Sequence, residues 1–169
     1  MAQVIVRPSG VGTTDDITHV GGSTFWETTD DVTHDGDTTY SLCESTSNIG
    51  MATISAHGLT EGDVIDSIEL FTTVKSETAG GSVVYGLSND NLDDWGVGFQ
   101  TSVPDTYTEY SILYTENPAT SSPYTIAELD VAQLVFAIGG FPIRMTQTYA
   151  KINYTPAPST TNAILLAGN

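Results

Sequence analysis

The stretch Val64–Lys75, VIDSIELFTTVK, constrains this chain more than any other. From Ile68 onward its side chains alternate. Ile68, Leu70, Thr72 and Val74 fall on one face, and Glu69, Phe71, Thr73 and Lys75 on the other. A period of two belongs to a β-strand with one face buried. The same habit recurs in MATISA (51–56), SVVYGLS (82–88), YTEYSILYT (107–115) and FPIRMTQTYAKINY (141–154), separated by Gly, Asn, Asp and Ser clusters. In WGVGFQTS (95–102), Trp95, Val97 and Phe99 share a face with glycine opposite. SETAGG (76–81) reads as the turn of a hairpin between two of these strands.

Turns every ~8–12 residues, with seven or eight strands, predict an all-β antiparallel sandwich of the jelly-roll kind. One segment departs from the pattern. Thr125 followed three residues later by Glu128 is a capping box, and it predicts one short helix from about Ile126 to Gln133, ended by Gly139 and Gly140. Residues 2–6, AQVIV, read as a short strand. Residues 7–24 show no periodicity, so 1–24 is expected as an extended N-terminal arm. The domain is expected over 25–154, and residues 155–169 as a Pro/Ser/Thr-rich tail ending in AILLAGN. The short apolar pieces of both ends suit docking on a neighbour by strand addition.

The chain has 169 residues, enough to bury a core without staples. Its single cysteine, Cys43, excludes an internal disulfide. No basic, apolar leader is visible at MAQVIVRPSGVG, and no apolar run reaches the length of a membrane helix. Asp and Glu number 21 against four basic residues, Arg7, Lys75, Arg144 and Lys151, for a net charge of -17. Such a surface repels phosphate, so neither nucleic acid nor an anionic membrane is an expected partner. Acid throughout, with almost no lysine, also fits a high-salt environment.

Candidate sites are few. Asp30, Asp31, Asp35 and Asp37 could offer oxygens to calcium. The pattern lacks the spacing of an EF-hand, and Asp35-Gly36 reads as the positive-φ corner that leads a strand in. His19, His34 and His57 stand apart in turn segments and are expected as solvent-exposed loop residues, and Cys43, which carries no catalytic signature, as a small buried hydrophobe. There is no G-x-S-x-G. Trp26, Trp95, Tyr107, Tyr110, Tyr114 and Tyr124 could form a sugar-stacking platform, with a sandwich core as the plainer reading. The expectation is a non-enzyme with no catalytic, cofactor or metal residue.

Two blocks carry a resemblance. FWETTDDVTHDGDTTYSLCEST stands near the start of the domain. YTENPATSSPYTIAELDVAQLVFAIGG and IRMTQTYAKINY stand at its end. Together they resemble minor structural proteins of tailed bacteriophages and archaeal tailed viruses, on Ile65, Ile68, Pro118, Thr120, Tyr124, Thr125, Glu128, Arg144, Met145, Thr146, Gln147, Tyr149, Ile152 and Tyr154. Tyr124 stands where tryptophan is usual and Met145 where valine is. The resemblance implies a β-sandwich virion component with no catalytic residues. On that basis the protein is expected to decorate or cement the capsid of a tailed virus with a halophilic host. It would be a homo-oligomer, a trimer for preference, with the major capsid protein as partner. The alternative is a tail or head-fibre adhesion module that binds host glycans.

Overall fold

The computed structural model describes residues 1–88, 96–140 and 142–158, with only the backbone at 96–97. It is a sandwich of two antiparallel sheets. The strands in chain order are β1 (Ala2–Val6), β2 (Pro8–Asp15), β3 (Thr18–Val20), β4 (Tyr40–Cys43), β5 (Ile49–Ile54), β6 (Val64–Ser76), β7 (Gly81–Ser88), β8 (Gly96–Val103), β9 (Thr108–Tyr114), β10 (Gln133–Ile138) and β11 (Ile143–Thr155). A 3-10 turn spans Trp26–Thr28, and helix α1 spans Ile126–Asp130.

One sheet has six strands in the order β3-β4-β11-β6-β9, with β1 also paired to β11; the other has five, β2-β5-β10-β7-β8. The long strands β6 and β11 form the spine of the first. The alternation read from the sequence places Ile68, Leu70 and Val74 inward, opposite Ile152, Ala150 and Met145 of β11. From the other sheet, Val83, Tyr85, Leu87, Leu134, Phe136 and Ile138 meet them. Phe25 enters from the loop before the 3-10 turn and stacks on Phe136, centroids 6.0 Å apart. Both rings are fully buried. Each such side chain contributes about 1.5–3 kcal/mol of transfer free energy.

Three expectations change. Residues 1–24 supply three strands rather than an arm. β1 pairs with residues 150–154 of β11, β2 with β5, and β3 with β4, and Val6 and Pro8 are buried. Burial does alternate along β2, but the sequence hides it because the more buried positions after Pro8 are held by Gly10 and Gly12. The turn at 76–81 does not make a hairpin. β6 and β7 lie in different sheets, and the turn's amides bond to other loops, Ser76 N to Pro104 O and Glu77 N to Pro142 O. Helix α1 stops at Asp130, and the apolar run that follows becomes β10, buried at every position in the middle of the five-stranded sheet. The capping box is present, with Thr125 Oγ1 accepting from Glu128 N at 3.2 Å and Thr125 N donating to Glu128 Oε2 at 2.7 Å. It starts the helix, but Gln133–Ile138 is better satisfied by a ladder on both sides. AILLAGN, at 163–169, lies outside the described residues.

Candidate functional site

The acidic turn is tied down as a strap. Gly36 takes φ +71, as its place after Asp35 demands. Asp35 accepts from Thr39 N (3.2 Å), from Thr39 Oγ1 (2.8 Å) and from Thr146 Oγ1 (3.3 Å). The Asp31 carbonyl accepts from Arg7 Nη1 and Gln147 Nε2, both at 2.7 Å. Asp37 meets Lys75 Nζ at 2.7 Å, Arg144 Nη1 at 2.8 Å and the Tyr107 hydroxyl at 3.0 Å. The Lys75 hydrogen bond above all holds the Asp37 carboxyl below its usual range. Asp30 moves the other way, raised chiefly by burial. Among the described residues no three His, Cys, Asp or Glu side chains are grouped to hold a metal.

Of the three histidines expected in exposed loops only His34 is exposed, and His19 and His57 are largely buried braces because both ring nitrogens of each are drawn into hydrogen bonds. His19 Nε2 lies 3.0 Å from Asp15 Oδ1, and its Nδ1 lies 3.0 Å from Ser41 Oγ. On distance alone this is an acid–imidazole–hydroxyl row. Ser41 is fully buried, however, and its Oγ sits 2.5 Å from Thr28 Oγ1, so no substrate carbonyl can reach it. The row ties β2, β3 and β4 to the 3-10 turn. His57 Nδ1 accepts from Leu59 N at 3.1 Å, which leaves the proton on Nε2, donated to Asp130 Oδ1 at 3.0 Å. Both of its nitrogens are engaged. His34 lies against the Tyr107 ring, centroids 5.9 Å apart. Cys43 is buried, and burial pushes its thiol up to about 11, far from a reactive thiolate.

The aromatic residues expected as a platform are dispersed. Trp26, Tyr110 and Tyr124 pack against the core, and Tyr114 belongs to it. Tyr124 meets Tyr114 edge-on, and burial pushes its hydroxyl up to about 12. Tyr107 lies under Lys75. Trp95 lies outside the described residues.

The outward faces of the two sheets carry the informative side chains. On the six-stranded sheet, Phe71 of β6 and Tyr149 of β11 are cross-strand partners, stacked 4.8 Å apart at 6°. All four basic residues of the chain sit on this face, each against a ring. Lys151 is 4.1 Å from the Phe71 centroid, and Arg144 is 4.3 Å from Tyr40. Lys75 is 4.9 Å from Tyr107, and Arg7 is 5.1 Å from Tyr149. Lys75 and Arg144 are further neutralised by Asp37, and Arg144 by Glu77. Phe71 is only 8% exposed. Its ring and its neighbours are occupied by the protein's own cations.

The five-stranded sheet differs. Its inner residues belong to the core, yet Met51, Val135 and Ala137 are also buried while standing outside that core cluster. Register puts them on the outer face. Met51 pairs with Val135, Val135 with Gly86, Ala137 with Val84, and Val84 with Phe99. The result is an apolar strip across β5, β10, β7 and β8, where an ordinary solvent-facing sheet would be polar. At one side Gly12 comes down on Met51 so closely that a Cβ there would lie 2.6 Å from the Met51 carbonyl carbon. Next to it, Gln133 clasps Thr13, its Oε1 accepting from Thr13 N (2.7 Å) and its Nε2 donating to Thr13 Oγ1 (2.8 Å). At the other side Phe99 leans over Gly139 and is 59% exposed. Among the described residues, no cation and no second ring lies against Phe99. Spacing the strands by ~4.8 Å makes the strip roughly 14 Å wide from β5 to β8, but Met51, Val135 and Ala137 are covered, so the part open to a ligand is its Phe99–Val84 end. The alternation in WGVGFQTS already set Phe99 opposite the glycines. Nothing local in the sequence marked Met51, Val135 and Ala137 as a strip.

The fold defines a class, the two-sheet β-sandwich, before it defines a relative. No family model matches the chain, and no curated protein matches it. Solved structures do. One is the N-terminal CBM22-1–GH10 modules of endo-1,4-β-D-xylanase 10B from Clostridium thermocellum with xylohexaose, at 13% identity, TM-score 0.50, over 93% of this chain and 30% of that one. This chain therefore spans about 30% of that xylanase structure. Another is the C-terminal CBM6 of a marine laminarinase from Zobellia galactanivorans, at 11% identity, TM-score 0.48, over 90% and 100%. The Tobacco streak virus coat protein matches at 12% identity, TM-score 0.36, over 98% and 95%. At such identities the likeness is one of fold.

These comparisons correct the sequence resemblance. The similar structures are mostly carbohydrate-binding modules and a xylanase, not tailed-virus proteins. The capsid-decorating function, the major-capsid-protein partner and the virion location rested on that resemblance and fall with it, and the trimer and the halophilic viral host, argued from architecture and from charge, fall with the virion they were attached to. The physical reason is plain. The shared motifs, a turn into a strand, a capping box and a closing strand, are local devices for building structure and do not specify a function.

Proposed function

We propose that this protein is a non-catalytic carbohydrate-binding module, and that the saccharide lies on the outer face of the five-stranded sheet with Phe99 as its stacking ring. The observation that carries the reading is Phe99 itself, an aromatic ring 59% exposed at the end of an apolar strip. A pyranose presents an apolar C–H face and a polar edge. It needs a bare ring for the first and amides or hydroxyls for the second. Val84 adjoins the ring and Ser82 stands near it beside Gly139 as a hydroxyl, while Gln133, buried and bonded to Thr13, closes the far side of the strip. The likeness to carbohydrate-binding modules supports the same class of ligand. A module of this kind acts by holding its carrier on a polysaccharide or a glycan-bearing surface; the chain's own residues bind and orient, and no bond is broken.

The test is retardation of the full chain in native gels cast with soluble polysaccharides, followed by calorimetry with oligosaccharides of any polymer that binds. Phe99→Ala is expected to weaken binding by about tenfold or more, with an unchanged circular dichroism spectrum. Equal binding by Phe99→Ala and the parent overturns this placement of the site.

A further inference from the structure

We infer that the saccharide taken by this face is uncharged, and that the protein discriminates against uronate- and sulfate-bearing glycans by where it keeps its few cations. The inference rests on the carbohydrate-binding reading above. It begins from charge sorting. Against 21 acids the chain has four basic residues, and all four lie on the outer face of the six-stranded sheet. There Arg144 and Lys75 are paired with Asp37, Arg7 donates to the Asp31 carbonyl, and Lys151 lies on Phe71. The Phe99 strip is on the far side of the sandwich. Facing sheets stack ~10 Å apart, so those cations lie more than a physiological Debye length from a ligand on the strip.

Carboxylates and sulfates are recognised by charge-assisted bonds, above all from the guanidinium fork. The described residues of the strip, Met51, Val84, Phe99, Gln133, Val135 and Ala137, supply none. An acidic glycan there would meet the field of a chain at -17 with no local compensation. A neutral sugar needs only a ring, apolar contact and a hydroxyl or amide partner, and the open end of the strip offers Phe99, Val84 and the Ser82 hydroxyl. The exclusion is also graded by salt, because it arises from long-range repulsion and not from shape.

The experiment uses the full chain and calorimetry with matched hexasaccharides. The neutral set is built from glucose, xylose or mannose, and the acidic set from galacturonate, together with a sulfated neutral hexasaccharide. All are measured at low and high NaCl. The best neutral ligand is expected to bind at least about tenfold more tightly than any acidic one at low salt, with its own affinity changing less than about twofold as salt rises. The double variant Arg7→Gln, Lys151→Gln is expected to leave neutral binding unchanged. An acidic ligand bound more tightly than every neutral one at low salt overturns this inference while leaving the carbohydrate-binding reading in place. Loss of that acidic binding in the double variant would then move the site to the six-stranded sheet. Binding of no saccharide overturns both.

Discussion

Both sheets turn aromatic side chains outward, yet they treat them in opposite ways. On the six-stranded sheet the Phe71–Tyr149 stack is closed over by Lys151 and Arg7, and the 30–39 strap is lashed beside it through Gln147, Thr146, Lys75 and Arg144. On the five-stranded sheet Phe99 stands 59% exposed beside an apolar strip. The difference teaches what an outward ring is for. Where a ring's surroundings are filled by the chain's own cations, it acts as a mortar between strands and strap. Where it is left uncovered, it offers a surface for a ligand. Counting aromatic residues does not separate the two, and partner geometry does.

The contrast can be broken most sharply by truncating each ring in turn. Phe71→Ala is expected to cost about 3–4 kcal/mol in chemical denaturation, the cost of removing a buried, stacked ring. Phe99→Ala should cost less than about 1 kcal/mol, because more than half of that ring already meets water. Equal losses would mean that both rings are structural. A smaller effect sharpens the description of the strip's covered side. Gly12→Ala drives a methyl against the Met51 backbone and Gln133 Oε1, and is expected to destabilise by about 1–3 kcal/mol. A neutral result would show that the β2 bulge does not press on the sheet.

The smallest effect concerns the strap. Asp37→Asn removes the acceptor shared by Lys75 and Arg144, an exposed network worth less than about 1 kcal/mol. Because the Asp37 pKa is lowered in the fold, its contribution is fully present above the unfolded value of 3.8 and is lost as the pH falls through the lower folded value. Parent and variant should therefore differ at neutral pH and, in denaturation curves, begin to converge as the pH falls past 3.8, meeting only below the lower folded value. A gap that widens in acid would reverse the assignment.

Much of the fold was legible because period-two alternation is a local signal. β6 shows this best, where Ile68, Leu70 and Val74 point inward and Phe71 outward as the sequence requires. The capping box at Thr125 was equally legible, since its four residues carry the whole motif. What failed was not local. β2 is a strand because β5 lies beside it, not because its own Gly- and Thr-rich residues ask for one. β10 reads as apolar in any conformation, and only its position between β5 and β7 makes it a strand. The separation of β6 from β7 into two sheets depends on loops distant in sequence, whose carbonyls take the turn's amides. The site divides in the same way. The face that Phe99 takes on its glycine-backed strand was readable, but its standing as the exposed ring was not, since it was absent from the expected platform of Trp26, Trp95 and four tyrosines, and neither was the placing of Arg7, Lys75, Arg144 and Lys151 against rings of the other sheet.

The most direct measurement is a methyl NMR titration of the full chain with an oligosaccharide that binds. If the ligand lies on the five-stranded sheet, the Val84, Val135 and Ala137 methyl signals shift progressively with saturation, while Ile5 and Leu113, outward on the six-stranded sheet, stay in place. Shifts concentrated at Ile5 and Leu113, with Val84 and Ala137 unmoved, would contradict the account.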